Sequence, residues 1–444
     1  MLEKWSLGYE LLRLYVKLGY WIFHREIVIT GKENIPAGKP VIFAPNHPNA
    51  LNDDLSVSIA IPHQTVWLGR ASLFKSAWAR PFLRFLKIVP VFRIRDGKES
   101  LKGNEESFAI AVKILQHNRA LGLYPEAAHS LDRQMVPHKK GIPRIVFLAG
   151  DMTRDTLDIQ IVPVGLYYDQ LQNFGRRLLV SFGKPLSARD YYPLYRQNPH
   201  QATLRLRDDL YRAILPLILN YNNTTCHFEG FEAVRRITAP SVARQKGLPV
   251  NLPGIVAAGR LIVAHLDTLE EKDPEEASLL ATKALSLTGD LKSRKLRSWL
   301  VDPSEEKITT LLLHSLGLLI TLPLCLYGGV FNIIPFAGLG AVVRKKASDP
   351  IWISTFTFGL GIVIFPLFYL LELLLLSPLL PSWPLKLLFL ASLPLTGKIA
   401  FAWTIRGLKT VGRWRWLRIK RHHPDLYASF HARKNEIIRK VLIP

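Results

Sequence analysis

Asn46-His47-Pro48-Asn49-Ala50-Leu51-Asn52-Asp53 sets a histidine and a carboxylate close together, just after the apolar run Val41-Ile42-Phe43-Ala44. Histidine is the side chain best suited to take a proton near neutral pH, and a carboxylate beside it fixes its tautomer and stabilises the imidazolium that forms. No serine or cysteine of a nucleophile motif accompanies the pair. The combination points to a base that activates a hydroxyl on the substrate. Positions six apart lie about 240° apart around an ideal helix, so one straight helix cannot pair His47 with Asp53. The pair meets only if Pro48 to Asp53 forms a tight loop or irregular turn. Spacing alone favours the plainer alternative, a histidine capping a helix and an acid in its first turn.

Three further clusters carry polar groups at the ends of apolar runs. Ile88-Val89-Pro90-Val91-Phe92-Arg93 ends in an arginine, whose guanidinium suits a phosphate held bidentately or a surface ion pair with Asp96. Leu123-Tyr124-Pro125-Glu126-Ala127-Ala128-His129-Ser130 brings an acid, a histidine and a hydroxyl within five positions, and Lys139-Lys140 then open a helical stretch. Ile161-Val162-Pro163-Val164-Gly165-Leu166-Tyr167 is an apolar strand with a kink. Strand ends that bear polar groups in an α/β sheet are where ligands bind.

The elements that must position these clusters alternate. Strands are expected at Val41–Ala44, Thr65–Leu68, Ile88–Val91, Leu121–Tyr124, Gln160–Tyr167 and Leu178–Phe182, and helices at Asp54–Ala60, Ala79–Leu86, Glu105–His117 and Lys140–Ala149. Short apolar runs alternating with helices give an α/β fold, a mainly parallel sheet flanked by helices. A helical region and C-terminal transmembrane helices follow it.

The 444 residues exceed one typical core, and the chain divides into five parts. Residues 1–26 read as an interfacial amphipathic helix, with Leu7, Leu11, Leu14, Leu18 and Trp21 on one face and with Arg13 and Lys17 interrupting any secretory apolar stretch. Packing of that face on the rest of the protein is the plain alternative. Residues 27–200 hold the clusters, and 201–307 are expected to be helical throughout. In 308–407, Leu311–Ile334 and Trp352–Leu376 are long enough to cross a bilayer, whereas Leu385–Trp403 carries Lys386 and Lys398. Basic flanks at Arg344-Lys345-Lys346 and from Arg406 onward suggest a hairpin with both ends cytosolic. The first run would then enter and return on one side, kinked at Pro323 and Gly328-Gly329. Glu372 is an acid within the second run. Residues 408–444 form a basic juxtamembrane tail that includes Arg413-Trp414-Arg415-Trp416.

Lysine and arginine number 58 against 35 acids, a formal charge of +23, yet the mean hydropathy is +0.13. A basic and apolar chain favours anionic membrane lipids, at about 1 kcal/mol per cation near the surface, over nucleic acid, for which no motif is visible. Cys226 and Cys325 are far apart and show neither metal spacing nor a disulfide framework, which favours a reducing cytosolic setting.

In order, the four clusters resemble those of the glycerolipid acyltransferases, the family of 1-acylglycerol-3-phosphate and glycerol-3-phosphate acyltransferases. The first is similar to the family's His-acid motif. The usual form has four residues between the two, a position held here by Asn52, and the acid follows as Asp53. This longer spacing resembles that of a branch of eukaryotic-type glycerol-3-phosphate acyltransferases and their bacterial relatives. The second is similar to the family's strand ending in Pro-Val-x-Arg, which gives Arg93 the phosphate. The third is similar to Phe-Pro-Glu-Gly-Thr-Arg-Ser. Glu126 matches, Ala127 and Ala128 replace the glycine and threonine, and His129 stands for the arginine. The fourth resembles a Val-Pro-Val strand. The likeness covers about residues 25 to 185.

The resemblance implies an O-acyltransferase on the cytoplasmic side of a membrane. His47, held by Asp53, takes a proton from a hydroxyl of glycerol-3-phosphate or its 1-acyl form as that hydroxyl attacks an acyl thioester. The substrate-binding set is Arg93, Glu126, His129, Ser130, Lys139 and Lys140, with Glu126 ordering the site beside Arg93. No metal and no cofactor are expected beyond the co-substrate, acyl-CoA or acyl carrier protein. A remodelling lysophospholipid or amino-lipid acyltransferase is the alternative within enzymes, and a non-enzymatic basic membrane-binding protein the alternative outside them.

Overall fold

The computed structural model describes residues 2–77, 79–92, 102–128, 133–222, 228–301, 307–347 and 349–442. They fall into two compact units, Met1–Leu219 and Asn220–Pro444.

The first unit opens with α1 (Leu7–Phe23), capped by Ser6, whose hydroxyl accepts from Tyr9 N at 3.3 Å. Strand β1 (His24–Thr30) follows directly, then β2 (Val41–Pro45), α2 (Leu51–Ala60), β3 (Val66–Arg70), α3 (Ala79–Phe85) and β4 (Ile88–Val91). After them come α4 (Lys102–Gln116), β5 (Ala120–Gly122), α5 (Gly141–Thr153), β6 (Gln160–Tyr168), β7 (Arg176–Phe182) and β8 (Leu186–Ser187). The unit closes with α6 (Tyr192–Gln197) and α7 (Pro199–Ile214).

The strands form one sheet in the order β1-β7-β6-β2-β5-β3-β4, with β8 paired to the first half of β6. Among the described residues five of the seven pairings are parallel, and β6 with β7 and β6 with β8 are antiparallel. The expected mainly parallel sheet is therefore present, with a reversed edge made of β1 and β7. That edge carries two strands the periodicity did not mark in full. HREIVIT opens with polar residues, and Arg176-Arg177 lead into the apolar part of β7. Because β1 and β7 run against β6, their amino ends arrive where β6 ends. Ile42, Leu121 and Ile161 are fully buried in one core with Val112 and Leu115 of α4, Ile145 and Val146 of α5, and Leu206 and Leu210 of α7. Helix α7 thus closes the sheet's core, and the first unit extends past the expected boundary near residue 200.

In α1, Tyr9, Val16, Tyr20 and Phe23 are buried. The leucine stripe is the other face: Leu7 and Leu11 are each 60% exposed, Leu14 51%, Leu18 53% and Trp21 47%. About half of each of these side chains is open, which lets the stripe meet an apolar phase.

The second unit holds α8 (Phe228–Gln245), α9 (Leu252–Lys272), α10 (Pro274–Ser293), α11 (Ile308–Ile320), α12 (Leu322–Lys346), α13 (Ile351–Leu376), α14 (Trp383–His422) and α15 (Pro424–Val441). Among the described residues four helices are long and apolar enough to cross a membrane: α9, α12, α13 (with its continuation to Leu379) and α14. They differ in cover. Half of the apolar window of α9 is buried against its own unit, and none of that of α13. Burial on α8 and α10 accounts for the apolar side of α9 without a membrane.

The apolar run expected at Leu311–Ile334 is divided at Thr321. Pro323 begins a new helix, where a missing N–H costs nothing. The 13 residues of α11 rise only about 20 Å, too short to span. A polar seam joins the next three helices. Asn332 donates to the Gly328 and Leu393 carbonyls at 2.9 and 3.1 Å, and Tyr369 donates to Asn332 Oδ1 at 2.6 Å. Such bonds hold helices together where no water competes. Glu372 lies on α13, one turn beyond Tyr369. The tail ends as a packed helix. Phe430, Ile437 and Val441 of α15 are buried, and Arg433 pairs with Asp290 of α10 at 2.7 Å.

Candidate active site

The site lies at the carboxyl ends of β2, β5 and β6, where an open sheet offers its crevice. Strand β2 ends at Pro45 and the chain turns at once. Asn46 locks that turn to β6, donating to Leu166 O at 3.2 Å and accepting from Leu166 N at 2.7 Å. Ala50 then adopts a left-handed φ of 46° just before α2. That sharp entry is the irregular turn the six-residue spacing required. It sets His47 in the loop and Asp53 in the first turn of the helix.

The two side chains meet, His47 Nδ1 to Asp53 Oδ2 at 3.0 Å. Asp53 is wholly buried, and three donors converge on it. Oδ2 also accepts from Asn49 N at 2.7 Å, and Oδ1 accepts from the Tyr168 hydroxyl at 2.8 Å. A carboxylate ringed by donors accepts only, so the proton of the His47–Asp53 bond sits on Nδ1, and Nε2 is the nitrogen that carries the lone pair of the neutral ring. The imidazole, 15% exposed, lies flat on the Tyr124 ring, with centroids 3.8 Å apart and planes 18° apart. Tyr124 in turn stacks on Trp67 at 5.6 Å. Trp67 passes so close to Gly122 that a Cβ there would sit 2.4 Å from the indole, which reserves this position for glycine. The Tyr124 hydroxyl donates to Asp54 Oδ1 at 2.7 Å, and burial pushes the Asp54 carboxyl up to about 7. Asp54 is thus tied to Tyr124, while Asp53 serves the histidine.

Glu126 is buried, and both its oxygens are occupied. Oε1 accepts from His47 N at 3.1 Å and Oε2 from Val136 N at 2.9 Å. It clamps the loop after β2 to the loop before α5. Burial raises its carboxyl to about 7, against the two N–H donations that pull it down. Among the described residues its hydrogen-bond partners are these two backbone N–H groups. Lys139 ties that loop to the site through its backbone, N to Pro125 O at 2.7 Å, and Lys140 is the residue before α5. Neither lysine lines the pocket beside His47. Arg93, His129 and Ser130 lie outside the described residues.

That pocket encloses about 460 Å³, part of it open to solvent. His47, Pro48 and Glu126 form one wall, Tyr167, Tyr168 and Leu171 another, and Ile218 and Leu219 close it. Arg133 also lines it, packed over the Tyr167 ring at 4.9 Å and donating to Tyr168 O at 3.0 Å. Arg133 and Tyr168 are contributors the sequence did not single out. Tyr168 follows an apolar run and reads as one more core aromatic. The arrangement has the parts for general-base chemistry: an imidazole whose Nε2 carries the lone pair of the neutral form, a buried carboxylate behind it, and a partly apolar recess in front.

Residues 26–167 match the family model described as Acyltransferase. The 1-acyl-sn-glycerol-3-phosphate acyltransferase of Borreliella burgdorferi is 26% identical over 162 residues, 36% of this chain and 59% of that protein. Glycerol-3-phosphate O-acyltransferase 2 of Saccharomyces cerevisiae is 25% identical over 161 residues, 36% of this chain and 21% of that protein. The match therefore spans under two thirds of either relative. Among solved structures, the 1-acyl-sn-glycerophosphate acyltransferase PlsC from Thermotoga maritima is 17% identical with a TM-score of 0.32, over 46% of this chain and 79% of that one. The family match covers the segment that builds the His47–Asp53 site and makes residues 26–167 an acyltransferase domain, similar to the two glycerolipid acyltransferases above.

Proposed function

We propose that this protein is a membrane-bound O-acyltransferase that moves a fatty acyl group from a thioester to a hydroxyl of glycerol-3-phosphate or 1-acylglycerol-3-phosphate. The observation that carries the reading is the 3.0 Å His47–Asp53 bond beside a pocket that His47 itself lines, within the segment that matches the acyltransferase family model. His47 Nε2 takes the proton of the acceptor hydroxyl while its oxygen adds to the thioester carbonyl. The tetrahedral adduct collapses to the ester and expels the thiolate, which takes up the proton from the imidazolium. Asp53 stabilises the imidazolium between the two steps. No acyl-enzyme is required, since the base acts on the substrate's own hydroxyl.

Acyl-CoA or acyl carrier protein is the donor, and a phosphorylated glycerol the acceptor. The +23 charge suits both and suits an anionic membrane. Arg344, Lys345 and Lys346 end α12, and Arg406, Lys409 and Arg413 lie on the later part of α14, so the positive-inside rule sets both ends on the cytoplasmic side. We assign the acceptor phosphate to Arg93. Arg93→Ala should raise the KM for a phosphorylated acceptor by about tenfold or more, with little change in that for the thioester. Equal effects on both substrates would remove the assignment. The reading as a whole is tested by incubating purified protein with each thioester and glycerol-3-phosphate or its 1-acyl form. Ester formation supports it, and no transfer from either donor to either acceptor removes it.

A further inference from the structure

The recess in front of His47 holds a cation that no motif of the sequence marks. Among the described residues that line it, Arg133 is the only arginine or lysine. Contacts with the end of β6 fix its guanidinium. Cζ lies 4.9 Å from the centre of the Tyr167 ring, and Nη2 donates to Tyr168 O at 3.0 Å and reaches Asp169 O at 3.5 Å. The backbone of Arg133 takes a left-handed φ of 49°, a conformation that a residue with a Cβ keeps only where its surroundings hold it. Three residues on, Glu126 anchors the same loop by accepting from Val136 N. A guanidinium carries five N–H donors in a planar fork. Among the described residues its hydrogen bonds engage Nη2, and Nε and Nη1 remain to meet a ligand.

We propose, on the acyl-transfer reading above, that Arg133 is a substrate-binding residue that takes the phosphate of the acceptor and so selects a phosphorylated glycerol over a neutral one. The layout of the substrates decides which phosphate it meets. In glycerol-3-phosphate the 1-hydroxyl and the phosphate sit at the two ends of a three-carbon chain. In the 1-acyl form the 2-hydroxyl and the phosphate sit on adjacent carbons. A hydroxyl placed at His47 therefore keeps its phosphate within the same recess, which Arg133 also lines. In acyl-CoA and in an acylated carrier protein the whole pantetheine arm separates the phosphates from the reacting carbonyl, too far to share that recess. Two N–H groups of the fork grip two phosphate oxygens side by side, which the point charge of a lysine cannot do. A neutral glycerol brings no partner for the guanidinium and covers it from water, which disfavours binding. Glu126 lies on the His47 wall, and an ionised acid there opposes a phosphate. Burial raises its carboxyl to about 7, so it is only partly ionised at neutral pH, and Arg133 offsets what charge is left. The assignment adds a second cation to Arg93 and does not depend on it.

The test compares each acceptor with its phosphate-free counterpart: glycerol-3-phosphate with glycerol, and a short-chain 1-acylglycerol-3-phosphate with the matching 1-acylglycerol. In Arg133→Gln the ratio of kcat/KM values, phosphorylated over neutral, should fall by about tenfold or more, through the KM of the phosphorylated acceptor. The KM for the thioester should stay within about twofold of wild type. Arg133→Lys keeps the charge without the fork and should lie between the two. Calorimetric titration of the full chain with the same phosphate esters repeats the test without turnover. There Arg133→Gln should weaken Kd by about tenfold and leave the neutral compounds unaffected. A ratio and a Kd that both match wild type overturn the proposal. So does an equal loss for phosphorylated and neutral acceptors, which marks a role in shaping the loop. If circular dichroism shows that Arg133→Gln does not fold, Arg133→Lys decides alone, and an unchanged KM for the phosphorylated acceptor is then the overturning result. If wild type transfers no acyl group, the acyl-transfer reading falls and the Kd comparison still decides Arg133. Wild type that binds neither phosphate ester overturns the assignment outright.

Discussion

His47→Ala is expected to lower kcat/KM for acyl transfer by about a thousandfold, some 4 kcal/mol of transition-state stabilisation, and to leave sedimentation with liposomes unchanged. The size follows from the geometry. His47 lines the pocket with an imidazole whose neutral form carries its lone pair on Nε2, because Nδ1 is committed to Asp53. Alanine removes the base and cannot recruit another, since Asp53 is buried behind it and Glu126 has both oxygens bound to backbone N–H groups. The apolar face of α1 and the long apolar helices are untouched by the change, so membrane association has no reason to weaken. The rate is measured with a saturating thioester and a varied acceptor, and the sedimentation with vesicles containing anionic lipid. A variant within a few fold of wild type would remove the histidine from the chemistry.

The second large effect is expected at Asp53, and its contrast with the neighbouring acid is the informative part. Asp53→Asn should cost on the order of a thousandfold in kcat. An amide in that place turns a donor toward His47 or toward Tyr168 and Asn49, where three donors already converge. The imidazole then loses the tautomer that keeps the lone pair on Nε2. Asp54→Asn should lose far less. Its carboxyl accepts from Tyr124 and is only partly ionised at neutral pH, so an amide oxygen can keep that bond. Circular dichroism and thermal melts on both variants separate lost chemistry from lost fold. If Asp54→Asn were the more damaged of the two, the assignment of the carboxylate would be reversed.

Much of the site was legible because its parts follow apolar strands. The strand expected at Ile88–Val91 is β4, and β2, β5 and β6 begin or end within one or two residues of their expected bounds. The His47–Asp53 distance could not be read off, because it depends on one backbone angle at Ala50 that no residue type announces. A glycine there would have marked it. Tyr168 and Arg133 were hidden for another reason. Periodicity says which face a side chain takes and not which neighbour it meets. Glu126 also accepts from two backbone N–H groups, and such partners have no signature in sequence. The break at Thr321 was half visible: Pro323 suggested a kink, and the structure makes it the start of a separate helix.

The central claim is that the His47–Asp53 pair transfers an acyl group to the free hydroxyl of a phosphorylated glycerol. Its most direct test is one comparison: purified protein and its His47→Ala variant, a radiolabelled acyl thioester, and glycerol-3-phosphate, its 1-acyl form and lysophosphatidylcholine as acceptors. Label should enter glycerol-3-phosphate or its 1-acyl form at a rate that His47→Ala abolishes, with lysophosphatidylcholine the poorest acceptor. Transfer to lysophosphatidylcholine alone, or transfer to any acceptor that survives in His47→Ala, would contradict it.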